Sequence, residues 1–138
     1  ECRDARQPDP VLVGKCDRVL CDAPCSGLGV LAKKPDIRYK DGECVGRLPE
    51  IQYDVLCGAA EYVKDGGVLL YSTCTLNKRE NEEIVTRFLE SHPDFTPLDF
   101  TISHTGDGAP LESEGGMLTL FPHLSDTDGF FIARMRKN

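Results

Sequence analysis

Two short cysteine motifs carry the chemistry that this sequence advertises: Asp22-Ala23-Pro24-Cys25-Ser26 and Ser72-Thr73-Cys74-Thr75. Each follows an apolar run that reads as a buried strand, Arg18-Val19-Leu20-Cys21 before the first and Val68-Leu69-Leu70-Tyr71 before the second. In an open α/β sheet, ligands bind beyond the carboxyl ends of parallel strands. If the two strands run parallel in one sheet, Cys25 and Cys74 face one crevice, although 49 residues separate them. A lone cysteine is more often a small buried hydrophobe than a nucleophile. Cys21 and Cys57 fit that ordinary role, lying inside apolar patterns. Cys25 and Cys74 fall in turns just past strands, where a reactive thiol belongs. A helix N-terminus beyond Cys74 would favour its thiolate, the reactive form. Asp22 adjoins the same site, and Asp4 stands upstream of the first strand. Carboxylates so placed either bind polar parts of a cofactor or cap turns.

Other chemistries fit less well. Cys16, Cys21 and Cys25 contain no Cys-x-x-Cys pair and no neighbouring histidine, so a structural zinc site is not expected. His92, His104 and His123 lie in late loops, and no Gly-x-Ser-x-Gly elbow exists for a hydrolase triad.

The elements that must position these residues follow in order. Strand one runs from about Asp17 to Cys21, and a turn-rich loop extends from Ala23 to about Gly46. Arg47-Leu48-Pro49 opens a helix, with proline tolerated in the first turn. Ile51, Val55, Leu56, Ala59, Tyr62 and Val63 recur on one helical face. Asp65-Gly66-Gly67 ends that helix and leads into strand two. Asn77 and Glu80 form a capping-box pattern before a second helix. Its buried stripe is Ile84, Val85, Phe88 and Leu89, and His92-Pro93 ends it. The remainder reads as β structure: Phe95 to Ile102, Met117 to Phe121, and Phe130 to Met135 after a Thr127-Asp128-Gly129 turn. Ser103 to Gly116 reads as a mobile loop. Strand, helix, strand, helix and a β ending make the C-terminal part of a doubly wound α/β sheet.

The 138 residues suffice for one small domain, residues 1–138. The opening Glu1-Cys2-Arg3-Asp4-Ala5-Arg6 reads as a continuation rather than a start. No apolar run reaches the length of a membrane span, and no signal peptide opens the chain. Seven cysteines, several within apolar patterns, point to a reducing cytoplasm rather than a disulfide framework. A net charge of −7 argues against this segment gripping a phosphate backbone by itself. Two basic clusters exist, Lys33-Lys34 with Arg38 and Lys40, and Arg134-Met135-Arg136-Lys137. Either they are solvated loop and tail, or they meet nucleic acid.

Asp22-Ala23-Pro24-Cys25-Ser26-Gly27-Leu28-Gly29, followed by Lys34-Pro35-Asp36-Ile37-Arg38-Tyr39, resembles the fourth motif of Sun-type RNA cytosine-5 methyltransferases. Ser72-Thr73-Cys74-Thr75 with Glu80-Asn81-Glu82 resembles their sixth motif, and Thr127-Asp128-Gly129-Phe130-Phe131-Ile132-Ala133 their C-terminal strand. The Pro-Asp-Ile-Arg stretch leans towards the bacterial 16S ribosomal RNA methyltransferase B branch. The resemblance implies a Rossmann-like fold, S-adenosylmethionine as cofactor, and RNA, expected to be ribosomal, as partner. It implies Cys74 as nucleophile and Cys25 as the thiol that assists product release. It places Asp22 by the methyl donor and base, Pro24 at the cofactor, and Asp4 on the adenosine side. No metal and no membrane partner are implied. The glycine-rich cofactor loop and the RNA-binding domain of that family would lie upstream, so this chain is expected to be the C-terminal portion of the catalytic domain. Two alternatives stand beside it: a non-catalytic RNA-binding relative, and a DNA cytosine-5 methyltransferase whose Pro-Cys thiol attacks.

Overall fold

A computed structural model describes residues 3–39, 46–103 and 109–138. The first strand, β1 (Cys16–Asp22), crosses through helix α1 (Leu48–Glu61) into β2 (Val63–Thr73). The two strands pair in parallel, which demands a crossover of this kind. Asp22 stands opposite Ser72, so both strands end at one rim. Helix α2 (Glu82–Ser91) follows, then the short strands β3 (Phe95–Pro97), β4 (Thr101–Ile102), β5 (Leu111–Glu112) and β6 (Met117–Leu120). A one-turn helix α3 (Pro122–Ser125) leads to β7 (Phe130–Lys137).

The sheet is mixed, in the order β1-β2-β7-β3. Strand β7 runs antiparallel to β2 from Val68↔Arg136 to Thr73↔Phe131. Its other edge is shared end to end, β6 against Phe130–Ala133 and β3 against Met135–Lys137. Cys21, Leu69, Tyr71, Phe131, Ala133 and Met135 meet Leu56, Ala60, Ile84, Val85 and Phe88 in the core. Helices α1 and α2 contact each other, so both cover the same sheet face. The opposite face, at Leu20, Val68, Leu70 and Arg134, borders an open cavity, and Leu20 is 66% exposed.

Several local expectations change. Four residues, Lys64–Gly67, bulge within β2: the register jumps from Cys16↔Val63 to Arg18↔Val68, and Gly66 takes φ 75°. The Asp-Gly-Gly turn therefore interrupts a strand; the helix has already ended at Glu61. The β region expected from Phe95 to Ile102 splits, because β4 leaves the sheet to pair with β5. Strand β5 also lies inside the segment expected to be a mobile loop, part of which, 104–108, falls outside the described residues, as do Lys40 and His104. On α1, Ile51 is exposed and Gln52 fully buried. The buried stripe of the helix is Gln52, Leu56, Ala59 and Ala60, with one polar member, and the expected Val63 belongs to β2.

Candidate active site

Parallel pairing brings the two motif loops together. The sulfur atoms of Cys25 and Cys74 lie 3.1 Å apart, both half-buried and both free thiols. The loops are laced at several points around them. Ala23 N–H donates to Ser72 O (3.0 Å), and Gly29 N–H donates to Cys74 O (3.0 Å). The hydroxyls of Ser26 and Thr75, each adjacent to a cysteine and fully buried, bond at 2.8 Å.

Asp22 is exposed at the end of β1, and the Ser72 hydroxyl donates to its Oδ1 (2.8 Å). It lines a cavity of about 310 Å³ with Ala5, Val19, Leu20, Cys21, Val55, Ala59 and Tyr62. Pro24 is exposed, and its carbonyl accepts from the Gln52 amide (2.9 Å). Asp4 stands apart, at a larger cavity of about 570 Å³ beside Gln7, Asp54, Cys57 and Glu61. Its carboxylate accepts from the Arg6 side chain at 2.9 and 2.6 Å and from the Arg6 N–H. Those bonds hold its pKa down at about 2.

Burial, followed by the hydrogen bond to Cys74, pushes the Cys25 thiol well above its ordinary value. Either sulfur can be the donor in this contact. The helix expected to activate Cys74 starts too late. Asn77 caps only a 3-10 turn, Lys78–Glu80, by accepting from Arg79 N–H. Helix α2 begins at Glu82, and a helix dipole fades within its first turn.

The sequence names Glu80 as a cap and, with Ser26, Thr75 and Asn81, as a motif residue without a role, while Gln52 goes unmarked. Glu80 is fully buried instead, accepting from Ser26 N–H (2.8 Å), Gln52 Nε2 (3.0 Å) and Asn77 Nδ2 (2.8 Å). The Tyr71 hydroxyl donates to its carbonyl (2.7 Å). Asn81 accepts from Thr73 Oγ1 (2.6 Å) and donates to Thr75 O (2.9 Å), bracing the residues on either side of Cys74. One clue to Gln52 was available: it falls on the helical stripe of Leu56, Ala59 and Ala60.

The basic clusters are partly engaged. Lys33 pairs with Asp128 (2.5 Å), Arg134 donates to Leu98 O (3.2 Å) and to Asp99 O, and Lys137 donates to Val63 O (3.2 Å). Cys57, expected to be a buried hydrophobe, is half-buried at the Asp4 cavity. Among the described residues no helix is long and apolar enough to cross a membrane, and no metal-like group of three His, Cys, Asp or Glu side chains comes together.

Relatives share this architecture. A probable ribosomal RNA small subunit methyltransferase B of Bacillus subtilis is 42% identical over 99% of the chain. A ribosomal RNA small subunit methyltransferase F of Erwinia tasmaniensis is 40% identical over 97%. The chain spans only 31% and 28% of these two relatives' lengths. The crystal structure of NSun6 from Pyrococcus horikoshii with SFG superposes with a TM-score of 0.77 at 30% identity, over 99% of this chain and 33% of that one. A methyltransferase homologue from the same organism superposes with a TM-score of 0.67 at 31% identity, over 88% and 39%. The fold is therefore the Rossmann-like one of these methyltransferases. The family model of the 16S rRNA methyltransferases RsmB/F matches residues 1–136, and the chain belongs to that family.

Proposed function

We propose that this chain carries the reacting thiols of an enzyme that methylates carbon 5 of a cytidine in small-subunit ribosomal RNA. The observation that carries the reading is the pair of sulfurs 3.1 Å apart at the carboxyl ends of two parallel strands. S-adenosylmethionine is the methyl donor in this proposal, and it supplies an electrophilic methyl group. The residues present fit one side of such a molecule. The groove beside Asp22 has apolar walls for a flat, weakly polar body and one exposed carboxylate for a cation. Asp4, already held by Arg6, offers an acidic edge at the neighbouring cavity.

Carbon 5 of cytosine is a poor nucleophile. Addition of the Cys74 thiolate to carbon 6 forms a carbon–sulfur bond and moves the electron pair of the 5,6 double bond onto carbon 5. Carbon 5 would then take the methyl group that the bound donor supplies, the donor's sulfonium sulfur leaving as a neutral thioether. Loss of the carbon-5 proton to water returns its electron pair to the 5,6 double bond and expels Cys74 as a thiolate. Cys25 sits where its S–H can meet the departing sulfur, which suits the release step. A base stacked within a helix must be extruded to reach either sulfur.

The same reading makes this chain the C-terminal part of a catalytic domain whose remaining strands and RNA-binding surface lie elsewhere in a cytoplasmic polypeptide. The open face at Leu20, Val68 and Leu70 supports that placement.

The test uses the full-length parent protein and unmodified 16S RNA. Cys74→Ala should abolish both methylation and any covalent adduct. Cys25→Ala should trap a protein–RNA adduct that survives denaturing electrophoresis and requires S-adenosylmethionine. An adduct that forms with Cys74→Ala and disappears with Cys25→Ala would invert the two roles.

A further inference from the structure

Glu80 occupies a position that a capping residue has no need of. Its carboxylate is fully buried, and among the described residues no cation pairs with it. Its three N–H donors come from three segments: the main chain of Ser26 in the loop after β1, the Gln52 amide on α1, and the Asn77 amide in the loop after β2. An ionised carboxylate accepts only, so three donors and no competing donor role suit it.

The donors are placed around the reacting pair. Ser26 follows Cys25 directly, and Asn77 is three residues past Cys74. Gln52 donates at once to Glu80 Oε2 (3.0 Å) and to Pro24 O (2.9 Å), on the other side of Cys25. Both neighbours of the Gln52 nitrogen are acceptors, which fixes the amide orientation and leaves its buried Oε1 without a partner. The carboxylate and the amide thus grip the main chain on both flanks of Cys25 without touching either sulfur. A surface cap would meet water instead. Here the carboxylate is buried where it fastens the two cysteine loops and α1 together.

We propose that Glu80, assisted by Gln52, is a positioning residue that sets the distance between the Cys25 and Cys74 sulfurs. The proposal rests on the two-thiol reading of the site. Loss of the Glu80 acceptor removes its hydrogen bond from the Ser26 N–H, lets the Pro24–Ser26 segment relax away from Thr75, and separates the sulfurs. Attack and release would then no longer occur within one contact. Substrate binding by residues outside this network would be unaffected.

The experiment is bridging by dibromobimane, which joins two neighbouring thiols through two successive displacements of bromide. It is followed on this chain by peptide mapping of the Cys25–Cys74 cross-link. The wild-type chain should bridge this pair ahead of all others. Glu80→Gln keeps the shape and removes acceptor capacity. Its bridging should be slower by about tenfold or more, the population cost of one charge-assisted hydrogen bond. Single alkylation of Cys16 and Cys57 serves as the control that a purely local spacing effect leaves in place, and a cooperative melting transition shows that the variant is folded. Bridging at the wild-type rate in a folded Glu80→Gln chain overturns the proposal. If that variant does not fold, Gln52→Leu, which removes two donors and remains apolar in the core, is read the same way: slowed bridging supports the proposal and unchanged bridging overturns it. In the full-length parent, Glu80→Gln should lower kcat with the KM for RNA unchanged, and an unchanged kcat counts against the proposal. Glu80-dependent bridging in an enzyme that forms no 5-methylcytosine keeps the spacing role and rejects the reaction. Intact methylation with bridging insensitive to Glu80 does the reverse.

Discussion

Gly29 and Gly129 meet backbone to backbone. Gly129 N–H donates to Gly29 O at 2.8 Å, and Gly29 N–H donates to Cys74 O at 3.0 Å. One glycine thus joins the Cys25 loop, the Cys74 loop and the entry to β7. A Cβ on Gly29 would lie 2.1 Å from Gly129 O and 2.9 Å from Cys74 O, distances no carbon can occupy.

Gly29→Ala should therefore push two main-chain segments apart. Overpacking of this kind costs about 1–3 kcal/mol. Urea denaturation should show that loss, and bridging of Cys25 to Cys74 should fall with it. Wild-type stability in the variant would mean that the contact yields without cost.

The contact between the sulfurs predicts their response to a two-electron oxidant. A disulfide bond is about 2.05 Å long, so the two atoms, 3.1 Å apart, need to close by only about 1 Å. One hydrogen peroxide takes one proton and one electron from each thiol, forming the S–S bond and two waters. Stoichiometric peroxide should give a chain two hydrogens lighter, with Cys25 joined to Cys74, and dithiothreitol should restore it. Prior oxidation of Cys16 or Cys57, with this pair still reduced, would argue against the contact.

The strands and helices were readable because each repeats one local rule. Val68 to Tyr71 form an apolar run, Ile84, Val85 and Phe88 recur at helical spacing, and Pro49 marks a first turn. The two cysteine motifs were readable because turn residues follow strand patterns. The fastening around them was not. Glu80 has the sequence of a capping box, yet its carboxylate is claimed by Ser26, 54 residues earlier, and by Gln52. Ile51 and Gln52 exchange burial because the face of α1 at the motif loops needs an amide donor more than another methyl group. Such preferences come from tertiary neighbours, and no local window contains them. The bulge at Lys64–Gly67 was hidden for a related reason. Asp-Gly-Gly spells a turn, but only the parallel partner β1 decides that the strand has already begun at Val63.

Alkaline pH should weaken the fold in a defined window. Burial raises the Cys21 thiol from 9.0 to about 12, with the Asp22 charge adding to it, and burial also raises Cys25 and the Tyr71 hydroxyl. Below about pH 8.5, folded and unfolded thiols are both protonated and stability is at its full value. Above that, the unfolded chain releases the Cys21 proton that the folded chain retains, so this thiol alone lowers stability by about 1.4 kcal/mol per pH unit until its folded pKa is reached. Denaturant midpoints should be flat from about pH 7 to 8.5 and decline beyond. Cys21→Ala should make the decline shallower by one group's share. An unchanged slope in Cys21→Ala would show that its thiol ionises alike in both states.

Pockets that hold small molecules tightly bury about 70–90% of the ligand surface. The groove beside Asp22 is bounded by β1, α1 and Ala5, but β1 is an edge strand whose other side has no partner among the described residues. Leu20, on that strand, is 66% exposed. A ligand resting there is covered on one flank only, and the carboxylate of Asp22 faces water that competes for any cation. Calorimetry should detect no binding of S-adenosylmethionine to this chain at micromolar concentration, whereas the full-length parent should bind and lose affinity on Asp22→Ala. Micromolar binding by the chain alone would show that β1, α1 and Asp22 already form the essential part of the pocket.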